Sequence, residues 1–196
     1  MQSTDHDPIS VMDAAGAAAS VARGPEEAMH AIALAAFEHL GDRAAHLAAG
    51  AVDEGQHQFF VAGAFFVSPD RRFQMLVGNV GFPPEQKRLT IPIDGGNPGQ
   101  VIESRRPLLL PNTDERADFR QYLKTARMKS AIYAPLLWEG DIMGLLIVAA
   151  NARHTMREKD LGTLSALSRM AAPTWIAKGG PAWLADTYPR EGQGGS

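Results

Sequence analysis

The sequence predicts an α/β domain, and three observations predict it. Residues 59–67 form a run in which every side chain is apolar or absent, which indicates a strand covered on both faces. Residues 127–151, RMKSAIYAPLLWEGDIMGLLIVAAN, have the pattern of two apolar strands joined by a turn at residues 139–141. Amphipathic helices are predicted near both ends, over 25–40 and 156–178. Strands in the middle and helices at the ends indicate a mixed fold.

The composition is typical of one ordinary globular domain. The chain has 196 residues, of which 45% are hydrophobic and 21% are charged. A net charge of −3 gives no long-range attraction to nucleic acid or to an anionic membrane, and neither is expected as a partner. The chain has no cysteine, which excludes disulfides, thiolate metal sites and cysteine catalysis. We expect no metal site and assign no cofactor.

The N-terminal sequence indicates a cytoplasmic protein. Residues 1–10 lack the basic start and apolar run of a signal peptide. Apolar runs such as 145–150 are far shorter than the roughly 20 residues that span a bilayer.

Local signals mark the ends of the domain. Residues 1–24, polar and then alanine-rich, have no stable period and are expected to be flexible or weakly helical. Pro25 and two glutamates then open the first predicted helix of a domain over 25–180. Thr155 and Glu158 have capping-box spacing at the start of the last helix. The tail, 181–196, is expected to be partly disordered.

Shorter elements are predicted between these helices. The order of the predicted elements is strands at 73–77 and 88–93, a helix from about Pro98, a strand at 107–110 and a helix at 115–128. Pro135 lies inside the first strand of the hairpin, and its missing N–H implies an edge position or a bulge there.

Three segments, in this order, resemble the GAF domain family. GNPGQVIESRRPLLLPNTDE resembles the family's glycine-then-helix segment, and MKSAIYAPLLWEGDIMGLLIV resembles its final hairpin. TMREKDLGTLSALS resembles the start of its closing helix, so that the resemblance covers about residues 25–178. It implies an antiparallel sheet with the N- and C-terminal helices on one face. On the other face, loops and short helices would roof a small-molecule pocket.

The resemblance also implies a function. Relatives that carry bilins or reduce free methionine sulfoxide use cysteine, which this chain lacks. The implied function is therefore a non-catalytic sensor or regulatory module in signal transduction, which binds a small ligand and acts through a signalling partner. Family members commonly form homodimers, and a ligand-free dimerisation or scaffold module is the alternative. An enzyme on a GAF-like fold is the third possibility.

The candidate ligand site lies between residues 79 and 133. Residues 103–129 carry seven basic side chains against four acidic ones, which favours an anionic ligand. A basic row on the predicted 115–128 helix is either the rim of an anion pocket or a solvated helix face. The glycine-rich helix entry either points backbone N–H groups at the ligand or merely forms a turn. The candidate residues are Asn79, Gly96, Asn97, Asp114, Arg116, Arg120, Arg127, Ser130 and Tyr133.

Overall fold

A six-stranded antiparallel sheet forms the centre of the molecule. The computed structural model describes residues 6–115 and 127–188. The strands lie in the order β3-β2-β1-β6-β5-β4. Their bounds are β1 Phe60–Val67, β2 Phe73–Val80, β3 Thr90–Pro92, β4 Leu108–Leu110, β5 Ser130–Trp138 and β6 Asp141–Ala150. The helices are α1 Pro8–Val21, α2 Pro25–His39, α3 Gly96–Ser104, α4 Glu158–Ala177 and α5 Gly180–Thr187.

The predicted hairpin is formed by β5 and β6. Trp138 pairs with Asp141, and the two residues between them, Glu139 and Gly140, have φ values of 51° and 87°. Positive φ at both central residues is the requirement of a type I′ turn, which matches the twist of a hairpin. Pro135 lies beyond the last β5 residue paired with β4 and next to a register shift at Leu136/Leu137, as its missing N–H predicted.

Alternation along β1 explains why residues 59–67 are apolar throughout. Ala62, Ala64 and Phe66 pack into the cluster under the helices, whereas Val61 and Phe65 pack into a second cluster on the opposite face. Successive side chains of a strand point to opposite faces, so a sheet covered on both sides needs apolar residues at every position. β1 pairs with β6 along its length, which confirms that the two predicted strands are neighbours.

Helices α2 and α4 lie together on one face, as predicted. Both contribute to the same core cluster, in which Trp175 stacks on Phe66 with ring centroids 3.8 Å apart. α2 approaches the sheet at backbone distance, because a Cβ at Gly78 would lie 2.4 Å from the Met29 carbonyl carbon. Only glycine permits this contact.

The N-terminal expectation is corrected by α1. Asp7 caps this helix by accepting hydrogen bonds from two backbone N–H groups, and Val11, Ala15 and Ala19 are buried against the rest of the core. At the C-terminal end of α1, Lys178 Nζ donates hydrogen bonds to the carbonyls of Ser20 and Ala22. Residues 8–21 are therefore part of the packed domain and not a flexible leader.

The capping-box prediction near the C-terminal end is also corrected. α4 begins at Glu158 and not at the predicted capping box, because Thr155 donates its hydroxyl to the Ala152 carbonyl instead. The N-cap is Arg157, and Asp160, the third helical residue, completes the cap because its carboxylate accepts the Arg157 N–H at 2.9 Å. Residues 180–187, expected in the tail, form α5, in which Leu184 is buried.

The predicted 115–128 helix falls almost entirely on residues 116–126, outside the described residues. Thr113–Glu115 before it form a 3₁₀ turn. None of the helices within residues 6–115 and 127–188 combines the length and apolar character that crossing a membrane requires.

Candidate ligand-binding face

The sheet face opposite α2 and α4 has its own apolar cluster. Side chains from β1, β2, β5 and β6 form its floor, and α3 packs over β5 and β6. The connection between β2 and β3 also covers this face, because the Phe82 ring fills the space left by Gly63. Gly63 on β1 and Tyr133 on β5 both pair with Ile147 on β6, which lies between these two strands. At one strand spacing each, they are roughly 10 Å apart, the length of a small molecule.

Asn97 and Tyr133, both predicted as site residues, meet on this face. Asn97 is the second residue of α3 and is 3% exposed, and Tyr133 lies on β5 beneath it. Burial raises the pKa of the Tyr133 phenol, and the adjacent Asn97 amide lowers it by a smaller amount, so that the phenol stays neutral. Asn97 Nδ2 nevertheless completes no hydrogen bond with any described residue.

Two buried glutamines share this property. Gln74 on β2 donates from Nε2 to the Ile93 carbonyl at 3.1 Å, but its Oε1 has no donor among the described residues. Gln86 lies in the connection between β2 and β3, and neither of its amide atoms finds a partner in the described chain. Both side chains are at most 3% exposed. Together with Asn97, these residues present four buried amide atoms that the described protein leaves unsatisfied.

Gly96 opens α3, as the glycine-rich entry predicted. Its φ is 56°, in the left-handed region, which turns the chain into the helix beside Asn97. The turn and the helix start are thus both present.

Ser130 lies on the opposite face from Tyr133, so its expected place in the pocket is corrected. Its hydroxyl oxygen accepts the Met156 N–H at 3.0 Å, beneath the helices, and it is fully buried there. The two residues are three apart on one strand, and an odd separation places their side chains on opposite faces.

Asn79 lies at the end of β2, near the start of α2. Its carbonyl accepts from His30 Nδ1 at 3.0 Å, which fixes the proton on that ring nitrogen. Asn79 also lines an open groove of about 740 Å³ with α2 residues and Trp183. Its carbonyl thus contacts α2, but Asn79 pairs with Gly63, so its side chain lies on the same sheet face as Gly63 and Tyr133, three strands from Tyr133.

Asp114 and Arg127 belong to an ion-pair network at the end of the sheet where β5 begins. Asp114 pairs with Arg127 at 3.2 Å, with Lys129 at 3.5 Å and with Arg153, and Lys129 also pairs with Asp53. Partial burial raises the pKa of the Asp114 carboxyl, but the Arg153 hydrogen bond and the three cations outweigh it and hold the pKa below its ordinary value. Four strand residues, or roughly 13 Å, separate Lys129 from Tyr133.

Arg116 and Arg120 lie outside the described residues, and of the predicted basic row only Arg127 is placed. Its ion pair with Asp114 ties it to the network described above. No group of three or more potential metal ligands occurs in the described parts of the chain.

Sequence reasoning missed Gln74 and Gln86. Gln74 carried a signal, because it is a polar residue in an apolar strand whose neighbours alternate between two cores. Gln86 carried none, because a glutamine in a polar connection is ordinary until its burial is known. Lys129 was counted only as a basic residue, although its side chain is 3% exposed.

The fold defines an α/β domain with one sheet face packed by helices and the other covered by α3 and loops. The GAF domain family model matches residues 24–174, and the chain belongs to the GAF domain family. No curated protein sequence is detectably similar to it.

Solved structures share this fold at low sequence identity. The GAF domain of a phosphoenolpyruvate-protein phosphotransferase from Coxiella burnetii is 16% identical with a TM-score of 0.70, over 88% of this chain and 96% of that one. A free methionine-R-sulfoxide reductase from Neisseria meningitidis, solved in complex with its substrate, is 15% identical with a TM-score of 0.68, over 91% and 96%. A methyl-accepting chemotaxis protein segment is 17% identical with a TM-score of 0.62, over 83% and 95%.

These structures correct the functional interpretation of the sequence. The resemblance implies a non-catalytic sensor or regulatory module, and this implication is wrong, because free methionine-R-sulfoxide reductases are enzymes with the same fold. Domains of a phosphotransferase and a chemotaxis protein have it as well. Enzymes and signalling proteins thus share the fold, and family membership does not imply the absence of catalysis.

Proposed function

We propose that the chain binds a small polar molecule on the sheet face opposite α2 and α4, between β5 and α3. The observation that carries the proposal is the buried, unsatisfied Nδ2 atom of Asn97 on this face, and Gln74 and Gln86, toward the β2–β3 edge of the sheet, hold further unsatisfied amide atoms. Asn97 also lies against the Tyr133 phenol, which adds a neutral hydroxyl to the same face.

The energetic cost of these atoms supports the proposal. A buried polar atom without a partner costs about 1–3 kcal/mol, and a domain of this size is stable by only about 5–15 kcal/mol. Four such atoms consume much of that margin unless a ligand or ordered water completes their hydrogen bonds. The reductase from Neisseria meningitidis, which was solved with its substrate, supports the capacity of this fold to hold a small molecule.

The test begins with native mass spectrometry of protein purified without denaturation. We expect an adduct of small mass that is lost from the Asn97→Leu variant, because that variant removes one unsatisfied amide and fills its space. Gln100→Leu is the matched control, since Gln100 is an exposed amide on the same helix. The control should keep the adduct.

A ligand-observed NMR screen complements the spectrum. A library of amino acids, methionine sulfoxide, carboxamides and carboxylates is incubated with wild type and with Asn97→Leu. Saturation transfer identifies binding, and new resonances after incubation identify turnover. An empty native spectrum together with no transfer to any compound would contradict the proposal.

Homodimerisation, a signalling partner and a cytoplasmic location stay predictions. Ala35 on α2 is buried within the chain and is not available to a dimer interface. A dimer would therefore use other residues of the helical face.

A further inference from the structure

We infer that a second proton on the His6 ring, held by Asp160, fastens α1 to the rest of the domain, so that α1 is released as the pH rises. The inference concerns the helical side of the sheet and is independent of the proposed ligand on the other face. It makes the N-terminal helix a pH-sensitive part of the fold.

Thr163 fixes a proton on one nitrogen of the His6 ring. His6 Nε2 lies 3.0 Å from Thr163 Oγ1, and the Thr163 hydroxyl donates its hydrogen to the Lys159 carbonyl at 3.1 Å. A hydroxyl has a single hydrogen, so its oxygen accepts from Nε2, and Nε2 carries a proton. In a neutral ring the other nitrogen, Nδ1, would then present a lone pair.

Nδ1 faces the carboxylate of Asp160. The distance from Nδ1 to Asp160 Oδ1 is 3.7 Å, and the two side chains are only 5% and 2% exposed. Both carboxylate oxygens accept backbone N–H groups, from Gly41 and from Arg157, which is the role of an ionised carboxylate. A lone pair set against that charge is unfavourable, whereas a second ring proton forms a buried ion pair. The geometry therefore favours the doubly protonated ring in the folded protein.

The other charged groups near this contact are solvated. The titratable residues on the surrounding segments are Asp7, His39, Asp42, Arg157, Glu158, Lys159 and Asp160. Of these, Asp160 alone is buried. The Asp7 carboxylate accepts from Ser10 and Ile9, and Arg157 pairs with Asp42 at 2.6 Å. Water screens exposed charges, so Asp160 dominates the electrostatic environment of the His6 ring.

Small side chains attach α1 to the domain, which gives weight to the polar contacts at its two ends. The buried residues of this helix are Val11, Ala15 and Ala19. Lys178 holds the carbonyls at its C-terminal end, and His6 holds its start against α4. Elements with few large apolar contacts open locally before the whole domain unfolds. Loss of the second His6 proton therefore acts on α1 first.

The direction of the effect sets the pH window. The folded protein holds the second proton more tightly than the unfolded chain, in which a histidine loses it near about pH 6.5. The stabilisation is therefore complete below about pH 6.5, and it is lost as the pH rises through the titration of the docked ring. We expect α1 to be attached most firmly in mildly acidic solution.

NMR titration of the histidine rings tests the proton. We expect the His6 ring to titrate at least about one pH unit above the exposed ring of His57. Thr163→Val nearly keeps the shape of the side chain and removes the hydroxyl that orders the ring, so it should lower the His6 midpoint. A His6 midpoint at or below that of His57 would overturn the inference, and so would a midpoint that Thr163→Val leaves unchanged.

Amide hydrogen exchange tests the consequence for α1. Protection factors, corrected for the intrinsic pH dependence of exchange, are compared between about pH 5.5 and about pH 8.5, on either side of the histidine titration. In wild type and in the control His57→Gln, we expect α1 amides to lose at least about fivefold more protection than β1 amides. In His6→Gln, α1 should already be less protected in acid and should show no such loss. The same pH course of α1 protection in wild type and in His6→Gln would overturn the inference.

Discussion

Ser130 and Tyr133 show how strand geometry assigns roles to single residues. Both are polar, buried and on β5, yet Ser130 serves the packing of α4 while Tyr133 faces the candidate ligand. The period of two along a strand contains this information, and applying it to residues 130–133 would have separated the two residues from sequence alone.

We predict that Ser130→Ala lowers the free energy of unfolding by about 1–3 kcal/mol, because it leaves the buried Met156 N–H without an acceptor. Urea denaturation measures the change, and the binding of a ligand found by NMR should be unaffected. Tyr133→Phe is the matched comparison on the same strand. We expect it to weaken ligand binding and to leave the free energy of unfolding nearly unchanged. A Ser130→Ala variant that binds more weakly at unchanged stability would contradict this assignment.

The unsatisfied amides mark the limit of prediction at this scale. Asn97 was a candidate because it follows the glycine-rich entry, and the structure places it beside Tyr133. Gln86 could not be chosen, because its significance depends on burial by a connection that has no periodic pattern.

At the scale of elements, apolar periodicity predicted the structure well where side chains were large. The central hairpin and β1 carry runs of leucine, isoleucine, valine or phenylalanine, and α2 and α4 carry Met29, Ile32, Leu164 and Leu167 at helical spacing. α1 escaped prediction because alanine supplies two of its buried positions, and alanine also occupies its exposed positions. Asp7 and Pro8 are typical of a helix start. The buried and exposed faces of the helix, however, differ little in hydrophobicity.

We predict that Val11→Ala lowers the free energy of unfolding by roughly 1.5–3 kcal/mol, since two methyl groups leave a core position that is 1% exposed. Ile9→Ala on the same helix is the control, because Ile9 is 77% exposed and should change stability by less than about 0.5 kcal/mol. Thermal denaturation of both variants measures the difference. Equal midpoints would show that α1 does not contribute to the core in solution.

The start of α4 shows a different limit. Thr155 and Glu158 have capping-box spacing, but Thr155 is buried and makes a tertiary turn, so the local signal was overridden. Asp160 caps the helix and also accepts the Gly41 N–H at 3.1 Å from the end of α2. A cap that serves two segments distant in sequence cannot be inferred from spacing within one.

At the scale of the whole molecule, the ion-pair network around Asp114 joins segments that are far apart in the chain. Its members come from the connection before β1, the start of β5 and the connection after β6. Arg153 also donates to the Gly50 carbonyl. The sequence showed an excess of basic residues over 103–129, but not that two of them, together with Arg153, share one carboxylate.

We predict a pH dependence from this network. The pKa of Asp114 is lowered in the folded protein, so its charged form stabilises the fold above the unfolded pKa of about 3.9, and this contribution is lost as the pH falls through the folded pKa. At pH 7 the Asp114→Asn variant should therefore be less stable than wild type, and the difference should shrink below about pH 4. Urea denaturation across this range measures it. A constant difference from pH 7 to pH 3 would contradict the assignment.

Both ends of the described chain lie on the helical side of the sheet. His6 hydrogen-bonds to Thr163 on α4, and Tyr188 packs against the cluster beneath the helices. An affinity tag or a surface linker that joins the chain at either described end therefore starts on the helical side, away from the sheet face that holds Asn97 and Tyr133. Immobilised protein, oriented in this way, can be exposed to one compound after another in a flow cell, with the binding face unobstructed by its attachment.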